Sequence, residues 1–139
     1  MARPKNEPIP GSEELYVALG ADHVFNGMVL GEFIDMQGQS CNRQLYCARP
    51  DDVMKVANDA VGFASVTPNE FPPALQREGS DPLYFNADDL PTDENYAHAE
   101  IRVHRKGAFY GSPKSATVKT QLRDLLAKRF RVLKHPSLE

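Results

Sequence analysis

The chain has 139 residues, 41% hydrophobic and 25% charged, with 11 Pro, 9 Gly, 2 Cys and no Trp. That length builds one domain with a real core rather than two, and the composition excludes a disordered, collagen-like or disulfide-dense chain. The net charge of −3 conceals a division: residues 1–100 carry 17 acidic and 6 basic side chains, a balance of −11, whereas residues 101–139 carry 2 and 10, a balance of +8.

Residues 1–11 hold prolines at 4, 8 and 10 without periodicity, which predicts a mobile arm. Ser12-Glu13-Glu14-Leu15 fits a helix start with Ser12 as its cap, while Tyr16 and Val17 favour a strand over Leu15–Leu19; the sequence leaves both open. Asn26-Gly27 between Val24-Phe25 and Met28-Val29-Leu30 predicts a type I′ hairpin, with Phe25 facing Met28 and Val24 facing Val29. Its second strand is expected to continue towards Phe33, Ile34 and Met36, and a further short strand is expected over 44–48.

Pro50-Asp51-Asp52 reads as a helix start. Val53, Val56, Ala57, Ala60, Val61 and Ala64 then repeat at helical spacing, predicting a central helix from Asp51 to Ala64. Residues 66–96 hold five prolines and seven acidic side chains against one basic, which predicts a long acidic loop anchored by Leu83, Tyr84 and Phe85. From Ala97, the residues Ala99, Ile101 and Val103 alternate with His98, Glu100, Arg102 and His104, the pattern of a half-buried strand. Arg105-Lys106-Gly107 turns the chain into a second strand at 108–110. A helix is expected from Ser112 or Ser115 to about Leu133, with Val118, Leu122, Leu125, Leu126, Phe130 and Leu133 opposite Lys119, Arg123, Arg131 and Lys134. These elements predict one α+β domain over 12–136: an antiparallel sheet built from two hairpins, packed by the central and C-terminal helices. Ser137-Leu138-Glu139 reads as an expression remnant.

Two motifs approach known chemistry. His98-Ala99-Glu100 resembles the His-x-Glu signature of the zinc-dependent nucleobase deaminases, whose further ligands come from a downstream Pro-Cys-x-x-Cys. No cysteine follows Cys47 here, so the ligand set is incomplete. Gly107 to Ser115 follows a strand and opens a helix as a phosphate-binding loop does, but the glycine spacing is one residue short and Pro113 removes a backbone donor. What survives is an anion site at the helix start beside Ser112, Lys114 and Ser115, or plain capping by one of the serines.

The strand face of His98, Glu100 and His104, with an acid from 88–94, supplies residues for a metal-dependent hydrolase. Its competitor is the ordinary solvated face of an antiparallel sheet. Arg102, Arg105, Lys106, Lys114, Lys119, Arg123 and Arg131, with Phe109 and Tyr110 for stacking, form a candidate stripe for an anion or nucleic acid. The pI near 5.8 and the absence of a known nucleic-acid motif weigh against a dedicated binder. Internal pairing of the basic tail with the acidic part is the alternative.

The expected function is a small non-catalytic interaction protein that binds a macromolecular partner, protein or nucleic acid, through charge. The alternatives are the hydrolase and an acidic partner-mimicking inhibitor presenting the 66–96 loop. No cofactor, metal or membrane partner is expected. No stretch approaches the ~20 apolar residues of a membrane span. His23 is expected to be structural, and Cys41 and Cys47, spaced C-x5-C, to be free thiols in a cytoplasmic protein.

Overall fold

The computed structural model describes residues 3–138. Ten strands form in chain order: β1 (Leu15–Leu19), β2 (Val24–Phe25), β3 (Met28–Val29), β4 (Gln39–Arg43), β5 (Gly62–Val66), β6 (Leu75–Arg77), β7 (Ser80–Asp89), β8 (His98–Arg105), β9 (Ala108–Phe109) and β10 (Arg131–Lys134). Among the described residues one α-helix forms, α1, spanning Ala116–Ala127. Seven strands lie side by side in the order β10-β5-β1-β4-β8-β7-β6, with β9 paired to β8, and every pairing is antiparallel. The α+β class expected from the sequence therefore holds, on a sheet larger than two hairpins. No helix among the described residues is long and apolar enough to cross a membrane.

The local turn signals act as read. Asn26 and Gly27 take φ of 52° and 75°, and Val24 and Phe25 pair with Val29 and Met28. This hairpin stands apart from the main sheet. Its second strand ends at Val29, and Gly31–Phe33 forms a 3-10 turn where strand was expected. β8 keeps the predicted alternation, with Ala99, Ile101 and Val103 buried and their neighbours half-buried, and Lys106-Gly107 returns the chain into β9. Of the two readings near Ser12, the strand at Leu15–Leu19 is the one that forms.

The central helix does not form. Pro50–Val56 is a 3-10 turn and Gly62–Val66 is a strand, so the helical spacing at 53–64 is divided between two elements. Asp59 sits at φ 59°, a left-handed position that breaks any helix there. The segment after it is buried on both faces as an inner strand, which removes the alternation that would have marked it. Gly62 is required by close approach: a Cβ there would lie 1.9 Å from the Lys134 carbonyl oxygen of β10.

The C-terminal helix likewise stops early. Phe130 is buried beyond its end, while Leu133, expected in the apolar stripe, lies on edge strand β10 and is 50% exposed. Within α1, Leu122, Leu126 and Ala127 are buried. Lys119 and Arg123 flank that stripe, half-buried, while the outward face is Ala116, Thr117, Thr120, Gln121 and Asp124. The expected 44–48 strand lies earlier, as β4, and Gln44–Tyr46 is a 3-10 turn.

The expected 66–96 loop contains β6 and β7. Its acidic composition misled because Asp88 and Asp89 are turned into ion pairs rather than water. The arm at 3–11 is held: Asn6 and Glu7 donate backbone N–H bonds to the Asp89 carbonyl and carboxylate, both at 2.9 Å. At the other end Pro136–Leu138 is a 3-10 turn, and Ser137 bonds the buried His135 ring at 2.7 Å. Met1, Ala2 and Glu139, parts of the predicted arm and remnant, lie outside the described residues.

The main core fills one face of the sheet with Leu15, Val17, Leu19, Val66, Leu83, Ile101 and Val103, closed by Leu122 and Leu126 of α1. On the opposite face a smaller cluster of Tyr16, Val53 and Phe63 seats the 50–56 turn.

Candidate binding groove

Charge is arranged differently on the two faces of the sheet. On the core face Arg43 occupies the position in phase with Cys41 and is fully buried. Its guanidinium donates from Nε and Nη2 to the two Glu13 carboxylate oxygens at 3.0 and 2.8 Å, and from Nη1 to Glu7 at 2.8 Å and Asp89 at 3.1 Å. Arg3 joins the cluster, donating to Asp89 at 2.8 Å and stacking 3.8 Å above the Tyr46 ring. Tyr46 in turn donates its hydroxyl to Glu7 at 2.8 Å. The Tyr46 and Arg43 hydrogen bonds hold Glu7 below the usual carboxylate range. Burial pushes Asp89 upward, but the bonds from Arg3, the Glu7 N–H and Arg43 outweigh it and leave its carboxyl lowered. This cluster ties the arm to Glu13 just ahead of β1, to β4 and to β7, with the buried Arg3 Nη2 left without a partner among the described residues; it is a structural clamp.

On the opposite face of β8 the four polar side chains separate into two groups. His98 Nε2 lies 3.3 Å from Glu100. His104 Nε2 lies 2.8 Å from Asp88, which also accepts from Arg102 at 2.5 Å and from Asn86 at 2.6 Å. Burial raises the Asp88 pKa, and the bonds from His104, Arg102 and Asn86 reverse that into a net lowering. His98, Glu100 and His104 thus do not converge. Among the described residues no group of three or more His, Cys, Asp or Glu side chains is placed to hold a metal ion.

The basic stripe is also dispersed. Arg102 pairs with Asp88 and covers the Phe109 ring at 4.1 Å, Lys106 meets Asp81 at 3.2 Å, and Arg131 bridges Glu14 and Glu70. Arg105 covers Tyr110 at 4.9 Å, and Arg123 donates to the Ile34 carbonyl at 3.2 Å. Lys114 is exposed and Lys119 half-exposed. Ser115 caps α1 by accepting from the Val118 N–H at 3.2 Å, so capping is what that serine does.

A concave surface remains. Between the 50–60 segment and the 92–95 loop, over β1, β4 and the start of β8, lies a depression of about 600 Å³. Ala18, Val53, Val56 and Ala57 make its apolar walls, and Ser40, Asn42, Asn95 and His98 its polar ones. Asn95 donates to Asn42 Oδ1 at 2.7 Å, which ties the loop to β4. His23, expected to be structural, both lines this depression and holds its wall: Nδ1 accepts from the Gly20 N–H at 2.7 Å, and the ring packs on Phe33 at 4.3 Å. A second depression of about 310 Å³ shares Asn42, Val56, Glu94 and Asn95 with the first. A third of about 600 Å³ shares Gly20, His23, Asn58 and Ala60 and adds Asp22 and Asp59.

This groove was invisible in the sequence because its walls come from five separated stretches of chain. Arg43 left a faint trace, a lone cation at a core-phase strand position. Both cysteines are free thiols; burial raises both, Cys47 to about 11, which leaves neither activated as a nucleophile. No family model, curated protein or solved structure matches the chain.

Proposed function

We propose that this chain is a non-catalytic interaction protein that meets a macromolecular partner, a protein, through charge. The observation that carries the reading is the pairing pattern: Asp22, Asp59 and Glu94 stand exposed beside the open depressions and in no ion pair among the described residues. Glu13 and Asp89 of the Arg43 cluster, by contrast, are buried, and the partly exposed Glu7 is engaged by Arg43 and Tyr46. Unpaired charge on a concave surface is available to a partner; charge consumed internally is not. The same comparison weakens the inhibitor reading, since Asp88 and Asp89 do not face outward, and the hydrolase reading, since its ligands are apart.

A second reading keeps the nucleic-acid half. Lys114, Lys119, Lys128 and Arg129 lie on or beside α1 without ion-pair partners among the described residues, and a polyanion would meet them. The outward face of α1, which carries no cation and includes Asp124, places this second. The free thiols fit a reducing compartment, and we place the protein in the cytoplasm on that ground.

Titration of the whole protein at low ionic strength with a lysine-rich peptide and with short duplex DNA tests both readings. Peptide binding that fades with salt is the expected result. Binding of DNA alone moves the working surface to α1, and binding of neither overturns the charge reading.

A further inference from the structure

We propose, resting on that reading, that the three depressions act together as a docking groove for an extended peptide segment in which lysine or arginine residues alternate with small aliphatic ones. The middle depression, about 600 Å³, has the size of a site for one small ligand. It continues on both sides through shared walls, which suits a chain rather than a single compact molecule. One side of it is small and apolar, from Ala18, Val53, Val56 and Ala57, and Val56 is 53% exposed there. Aliphatic side chains projecting from every second residue of an extended peptide would cover that surface.

Charge selects the rest of the partner. Asp22 and Asp59 stand at one end and Glu94 at the other. Among the described residues lining the groove Lys55 is the one lysine or arginine, and Asp52 holds it at 3.1 Å. The groove therefore presents negative potential with no cation free to cancel it, and it attracts a basic segment while repelling a polyanion. The exposed Ser40 and Asn58 supply side-chain hydrogen-bonding groups for peptide amides.

The test uses the full chain and a fluorescein-labelled, acetylated and amidated decapeptide of alternating Lys and Val, followed by anisotropy at low ionic strength. Its Glu/Val counterpart and spermine, an unlabelled small cation, are the comparisons. The groove variant combines Asp22→Asn, Asp59→Asn and Glu94→Gln; asparagine suits the left-handed backbone at 59. A remote variant of equal charge change combines Glu32→Gln, Glu78→Gln and Asp124→Asn. Val56→Arg, on an exposed side chain, puts a cation into the groove, and circular dichroism checks that each variant folds.

The Lys/Val peptide is expected to bind one to one. The groove variant and Val56→Arg should each weaken it about ten-fold or more, and the remote variant less than about two-fold. Equal weakening by both triple variants would overturn the groove while leaving charge-mediated binding standing. Preference for the Glu/Val peptide, or spermine displacing the peptide at matched charge, would overturn the peptide chemistry. Failure of both peptides and of DNA would instead remove the underlying charge reading.

Discussion

Arg43 and His98 lie one pairing position apart across β4 and β8, since Asn42 is the register partner of His98. Yet they belong to regions of opposite kind. Around Arg43, itself 0% exposed, Glu13 and Asp89 are buried and Glu7 is half-buried, and each of the three carboxylates is paired with an arginine. Around His98 the polar groups are half-exposed and border an open depression. The same residue types make a clamp where they are buried and an open, solvated surface where they are not. A buried charge is held in place by its partners and has nothing left to offer a ligand, whereas an exposed one remains exchangeable.

Breaking the clamp should have the largest effect. Arg43→Ala strands Glu13 and Asp89 in the interior and is expected to cost about 3–5 kcal/mol, measured by urea unfolding. A loss below about 1 kcal/mol would mean that the cluster is hydrated in solution. Leu126→Ala, at a fully buried position of α1, should cost about 2–5 kcal/mol, while Leu133→Ala on the exposed edge strand should cost under about 0.5 kcal/mol. Equal losses would contradict the early end of the helix.

Acid sharpens the comparison. The folded state lowers Glu7, Asp88 and Asp89, so it favours their charged forms. The stability they contribute is fully present above the ordinary carboxylate range, about pH 4, and is lost as pH falls through their lower folded values. Thermal unfolding followed from neutral pH to about pH 2 should show that loss, and Arg43→Ala should flatten it. A lesser effect than that of Arg43→Ala belongs to the other face of β8: Asp88→Asn, which loosens the His104 and Arg102 contacts but keeps an acceptor there, should cost about 1–2 kcal/mol. If it costs as much as Arg43→Ala, the two faces do not differ as described.

What the sequence by itself determined was local. Asn26-Gly27 specified its hairpin because only residues tolerant of positive φ close a two-residue turn. The strict alternation from His98 to Arg105 specified β8 and which of its side chains point inward. Leu122 and Leu126 marked α1 by their spacing. Tertiary structure decided everything that depends on burial from both sides or on distant partners. Gly62–Val66 became an inner strand because β1 and β10 flank it, overriding a helical repeat. Asp89 became an internal ligand for Arg43 and Arg3 rather than a loop acid, because β7 carries it under the arm. The groove took its form from the 50–60 and 92–95 segments flanking one stretch of the sheet, although they are some forty positions apart in the chain. Propensity and periodicity act over one or two turns of chain, whereas ion pairs and concave surfaces are made by whichever segments the sheet order brings together.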